Sequence, residues 1–183
     1  DEYHQLYLDA TIAEVHLAAG NWSEAAVAAR RGWTSTIAEA GLRAARFAML
    51  YIEAVVEQSL DDRARRVPDH SESVRDSAST MLHQSTQAII SPTDSIAPAT
   101  QAYLAQGEAS LSRLGPPDPD AWANAAAFWD RLSDPWSTAL ARLHESEAAL
   151  AIGPTSRAGG ALQDAPRRAS HLDAGPSRAR LAA

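Results

Sequence analysis

The sequence predicts an all-α chain of stacked helical hairpins. Apolar residues recur at three- and four-residue steps almost throughout, no useful stretch alternates as a strand would, and short polar turns interrupt the helical pattern. The clearest turn is Gly20-Asn21-Trp22-Ser23-Glu24-Ala25, which joins a pattern over Tyr7 to Ala19 to another over Ser23 to Ile37. Asp134-Pro135-Trp136-Ser137-Thr138-Ala139 plays the same part near the other end. Such an architecture presents surfaces rather than performing chemistry.

The elements follow in order. Residues 3–19 place Leu6, Ala10, Ala13 and Leu17 on one face, and residues 22–38 do the same with Trp22, Ala25, Ala29, Trp33 and Ile37. A third helix over Gly41 to Leu60 turns Phe47, Leu50, Ala54 and Val55 toward a core. Asp61 to Ser71 is polar, contains Pro68 and reads as a linker. A fourth helix over 72–90 carries Val74, Ala78, Met81, Leu82, Ala88 and Ile89, and Ser91-Pro92 stops it, because proline lacks the amide and disfavours helix in the residue before it. A fifth, with Pro98 in its first turn, presents Tyr103, Leu104, Leu111 and Leu114.

Gly115-Pro116-Pro117-Asp118-Pro119 is the sharpest punctuation, with Asp118 placed to cap a sixth helix and Pro119 at its first position. That helix, 119–132, aligns Trp122, Ala126 and Trp129. A seventh, to about Ile152, spaces Trp136, Leu140, Leu143, Glu147 and Leu150 along one stripe. In the tail, residues 155–183, Gly159, Gly160 and Pro166 interrupt the pattern and predict a bent or frayed final pair. The whole, 1–183, is expected to be one helical array: first helices over 1–60, a linker at 61–71, and the remaining hairpins over 72–183.

Composition narrows the function. The hydrophobic share is 45% but aromatics are only 6%, and much of the rest is alanine, which favours helix and buries little area per residue. Stability must then come from many close helix–helix contacts. Net charge is −7, and all sixteen basic residues are arginine, so the chain lacks the basic stripe of a nucleic-acid binder. Only the tail, with Arg157, Arg167, Arg168, Arg178 and Arg180 against Asp164 and Asp173, leans basic, as a solvated helix face does; a DNA-facing role there requires a further domain after it. There is no cysteine, hence no disulfide or thiolate site, and no apolar run of membrane-spanning length. The start lacks an initiator methionine and a signal-peptide pattern, so the chain is expected to be a fragment of a larger cytoplasmic protein.

Ala13, Gly20-Asn21-Trp22, Ala25, Ala29 and Gly32 give the first hairpin a pattern that resembles a tetratricopeptide repeat: small residues where helices cross, an aromatic at the turn. The match covers residues 6–38, recurs in part over 123–150 (Ala127, Trp136, Ala139) and 142–168 (Gly153, Ala158), and lacks a strict repeat length. It implies stacked αα-hairpins forming a right-handed solenoid. A second resemblance rests on Pro117-Asp118-Pro119-Asp120-Ala121-Trp122, Ala126-Ala127-Phe128-Trp129-Asp130-Arg131-Leu132, Asp134-Pro135-Trp136, Ala139-Leu140-Ala141-Arg142 and Glu145 to Leu150, with Asp173-Ala174-Gly175-Pro176 and Arg178-Ala179-Arg180-Leu181 at the end. Together these are similar to the helical region of large actinobacterial LuxR-type regulators, where such an array lies between an ATPase module and a DNA-binding helix-turn-helix. Gly159-Gly160 and Pro166 depart from that pattern.

Catalytic motifs are missing. Without lysine the usual phosphate loop cannot form, and neither His-Glu-x-x-His, Glu-x-x-His nor Gly-x-Ser-x-Gly occurs. Asp61-Asp62 could open an aspartate-rich metal motif, but Arg63, Arg65 and Arg66 follow where a third carboxylate is needed. His16 reads as a core histidine, His144 as part of a solvated face beside Glu145 and Glu147, and Trp122, Trp129 and Trp136 as hairpin packing rather than a ligand cage. No catalytic, cofactor-binding or metal-binding residue is therefore expected.

The expected function is that of a non-enzymatic regulatory segment. It would bind a partner protein, an inducer or its own ATPase module, and so bias a DNA-binding domain elsewhere in the polypeptide. The alternative is a protein–protein scaffold from an unrelated multidomain protein. In the repeat analogy the binding groove is lined by the first helix of each pair. On the first helix that face holds Tyr7, Ala10, Glu14 and Leu17; with Leu17 packing inside, Tyr7 and Glu14 are the candidate partner-binding residues.

Overall fold

In the computed structural model, residues 2–37, 41–67, 70–89, 97–153 and 160 are described. They form seven helices: α1 (Glu2–Ala19), α2 (Trp22–Thr36), α3 (Gly41–Ala64), α4 (Ser71–Ile89), α5 (Pro98–Ser112), α6 (Pro119–Arg131) and α7 (Pro135–Ile152). Among the described residues there is no strand, and the chain is all-α. The expectations for the tail, 155–183, lie outside the described residues apart from Gly160, which is helical.

The chain divides into two compact units, Asp1–Leu114 and Gly115–Ala183. In the first, α1 packs on α2 and α3, α2 on α3, and α3 on both α4 and α5, which also touch each other. Its core is built from small side chains: Ala10 and Ala13 on α1, Ala25, Ala28, Ala29 and Gly32 on α2, and Ala44, Ala45 and Ala48 on α3 are all buried. Larger groups fill the remaining space, chiefly Phe47, Leu50, Ile52 and Val56. At Gly32 the approach of α2 to α3 is so close that a Cβ would stand within 3.0 Å of the Phe47 ring.

Three helix ends share one geometry. Gly20 (φ 76°) ends α1, Arg66 (φ 59°) ends α3 and Ser133 (φ 56°) ends α6 in the left-handed region. At each, two backbone bonds close the end: Gly20 N donates to Leu17 O and Asn21 N to His16 O; Arg66 N to Arg63 O and Val67 N to Asp62 O; Ser133 N to Asp130 O and Asp134 N to Trp129 O. This pairing satisfies carbonyls that the helix would otherwise leave without donors. It also turns the chain back, which makes α1–α2 and α6–α7 hairpins. After α1 and α6 the next helix starts at once. Asp134 Oδ1 accepts from Ser137 N at 2.9 Å, and Asp118 Oδ1 accepts from Asp120 N and Ala121 N at 3.0 Å with Pro119 beginning α6.

Some sequence expectations shift. The third helix runs past Leu60 to Ala64, with Asp61 paired to Arg65 one turn on, so Asp61 and Asp62 lie in the helix. On α3 it is Val56, not Val55, that is buried. On α7 the buried residues are Thr138, Ala139, Ala141, Glu145, Ser146 and Ala149, while Leu150 is exposed. In the second unit Trp122, Ala125, Ala126 and Trp129 form the buried face of α6, which packs on α7.

Candidate functional site

The first, third and fifth helices enclose a groove. Tyr7 and Ala10 from α1, Arg43, Arg46 and Phe47 from α3, and Ala99 and Tyr103 from α5 line a cavity of about 310 Å³. Helical spacing explains the set. Residues 7 and 10, 43 with 46 and 47, and 99 with 103 are each three or four apart, so each helix offers one adjoining patch. Ala10 and Ala99 are small enough to leave the space open. Phe47, buried and held against Gly32, supplies an apolar wall, and Tyr7, 58% exposed, stands at the rim.

Glu14 lies one helical turn beyond Ala10 and accepts a hydrogen bond from Arg46 Nη2 at 2.5 Å, tying α1 to α3. Partial burial works against the Arg46 charge. The Glu14 hydrogen bond and carboxylate, with the phenols of Tyr103 and Tyr7 alongside, outweigh it and hold the guanidinium above its ordinary pKa. The groove therefore combines aromatic walls with a permanent positive charge.

A separate ion pair holds the α1–α2 hairpin. Asp9, 1% exposed, accepts from Arg31 Nε on both carboxylate oxygens (3.0 and 3.1 Å), from Arg31 Nη2, and from Gln5 Nε2 at 3.0 Å. Further bonds tie the helices around α3: Trp33 Nε1 donates to Ser85 Oγ at 2.8 Å, Gln106 Nε2 to Glu53 Oε1 at 2.8 Å, and Arg113 to Glu57.

Of the two sequence candidates, Tyr7 lines the groove directly, and Glu14 reaches it through Arg46. Leu17 is half-buried. Arg43, Arg46, Phe47 and Tyr103 were not singled out as binding residues by the sequence. The 43/46/47 spacing on one helix was the available signal; which other helices it meets is a property of the fold.

The remaining candidates resolve as follows. His16 is half-buried with its Nδ1 3.4 Å from Asn21 Nδ2. The His144 ring lies 4.5 Å from that of Trp122 at a 38° tilt, and its Nδ1 is 2.7 Å from Glu147 Oε2. Trp122 and Trp129 are buried, whereas Trp136 is exposed. A second cleft of about 220 Å³, with Ser59, Asp62, Arg63 and His70 among its lining, lies where α3 meets α4. Among the described residues no three His, Asp or Glu side chains are grouped to hold a metal ion, and no helix is long and apolar enough to cross a membrane. No protein-family model, curated protein or solved structure matches the chain.

Proposed function

We propose that the chain is a non-catalytic, partner-binding helical-repeat segment of a larger cytoplasmic regulator of the LuxR type. In this reading, occupancy of the groove biases a DNA-binding domain elsewhere in the polypeptide, and the segment itself contacts neither nucleic acid nor membrane. The observation that carries the reading is the groove, lined by α1 and α3, each the first helix of a packed pair, and by α5. The packing order of the first unit supports a tetratricopeptide-like reading: α1 touches α2 and α3, and α3 touches α4 and α5, as in stacked helical hairpins.

Two experiments test this. Reading the coding sequence on both sides should find a phosphate-loop ATPase upstream and a helix-turn-helix downstream. Further helix pairs alone would replace the regulator with a scaffold. In the full-length protein, Tyr7→Ala with Arg46→Gln should weaken partner binding and leave the melting temperature within a few degrees, since both side chains reach solvent. A large fall in melting temperature would mean that these residues belong to the core.

A further inference from the structure

We propose that the groove between α1, α3 and α5 takes a small aromatic carboxylate, whose acid group displaces Glu14 from Arg46 while its ring packs against Tyr7, Tyr103 and Phe47. The inference rests on the groove being the binding face and adds the chemistry of its occupant. Size comes first. A cavity of about 310 Å³ lies at the low end of the roughly 300–1,000 Å³ of small-molecule pockets, room for one ring with a short acid arm. Charge comes second. The chain as a whole carries −7, yet the described residues of the groove lining include two arginines one turn apart on α3 and no carboxylate. Guanidinium groups beside aromatic faces suit a planar acid: the fork pairs with both carboxylate oxygens, and the rings take the apolar body.

The third observation is Glu14 itself. It already holds a carboxylate on Arg46, from outside the lining residues, with 46% of its side chain and 34% of that of Arg46 exposed. So exposed a pair contributes little to the fold, and a ligand acid of the same chemistry can take its place. Glu14 thus acts as an internal stand-in that the ligand must displace. Its release removes one side-chain tie between α1 and α3, beside the packing that keeps the two helices together.

The test is calorimetric titration of the whole 183-residue chain with phenylacetate and with phenylacetamide, its neutral isostere. Native protein, Glu14→Gln and Arg46→Gln are compared, each with a melting curve. Phenylacetate should bind, with phenylacetamide about tenfold weaker, the factor a charge-assisted bond carries. Glu14→Gln should tighten phenylacetate by about three- to tenfold and leave phenylacetamide unchanged. Arg46→Gln should erase the difference between the two.

Three results overturn the proposal: equal binding of acid and amide, weaker acid binding by Glu14→Gln, or saturable binding of an acidic peptide with none of phenylacetate. Glu14→Gln keeps the test decisive if Arg46→Gln fails to fold. If the acid fails while Tyr7→Ala with Arg46→Gln still weakens partner binding in the full-length protein, only the ligand class falls. If that variant has no effect either, the groove reading falls too.

Discussion

Removing Arg31 should destabilise the protein more than removing Asp9, although the two share one ion pair. The asymmetry follows from burial: Asp9 is 1% exposed, whereas the Arg31 side chain is 52% exposed. Arg31→Met leaves a buried carboxylate with only Gln5 as a side-chain donor among the bonds described above. Breaking a buried pair in this way costs about 3–5 kcal/mol, and the remaining Gln5 bond places the expected loss at about 3 kcal/mol. Asp9→Ala leaves a guanidinium that water can reach, so its cost is the lost hydrogen bonds, about 1–2 kcal/mol. Replacing both should cost less than Arg31→Met alone, because no buried charge remains.

The pH dependence should reverse sign as well. In the native protein burial is the largest influence on Asp9 and raises its pKa, but the hydrogen bonds from Arg31 and Gln5 and the Arg31 charge together hold it below the ordinary 3.8. A depressed folded pKa contributes stability above the unfolded value, about 3.9, and that contribution is lost as pH falls through the folded value. Without Arg31, burial dominates and the folded pKa rises. The variant should then gain stability as pH falls from 7 toward 5, where the native protein's Asp9 contribution stays constant. Urea denaturation across that range reads both effects. Equal costs for the two single variants, or no gain on acidification for Arg31→Met, would refute the reasoning.

Other perturbations test the backbone and packing. Gly32→Ala should destabilise by about 1 kcal/mol, since overpacking against Phe47 (about 1–3 kcal/mol) exceeds alanine's helical advantage of about 1 kcal/mol; Phe47→Leu in the same chain should suppress much of that cost, giving non-additive denaturation energies. Ser133→Gly should raise stability by about 0.5–1 kcal/mol by relieving the left-handed conformation that ends α6, visible as a higher melting temperature. Asp134→Ala should cost about 1 kcal/mol in the same assay, because Ser137 loses its capping acceptor.

Much of the fold was legible because helix punctuation is local chemistry. Asp118 and Asp134 cap the helices their positions announce, and Gly20 ends α1 where the turn requires a positive φ. The α3 terminus was misplaced because Asp61 and Asp62 look like a polar linker; the Asp61–Arg65 pair and the backbone closure at Arg66 carry the helix to Ala64. The buried face of α7 was not legible for another reason. Where helices meet through alanine, serine and threonine, the largest apolar side chains do not mark the interface, so Leu150 faces outward while Ala141 and Ala149 are buried.

The candidate site was half legible. Tyr7 and Glu14 follow from the face of one helix, whereas Arg46 and Tyr103 join them only because α3 packs against both α1 and α5. Helical periodicity says which residues share a face, not which faces meet.

The groove is tested most directly by hydrogen exchange in the protein as purified from its native source, comparing the native sequence with Tyr7→Ala and Arg46→Gln combined. Residues 98–106 of α5 report on the groove from an unsubstituted helix, and residues 23–31 of α2, outside its lining, serve as reference. If the groove is occupied in the native protein, exchange over 98–106 should be slower there than in the variant, with 23–31 unchanged. Identical exchange over 98–106, or a change confined to 23–31, would contradict the assignment of this face as the binding surface.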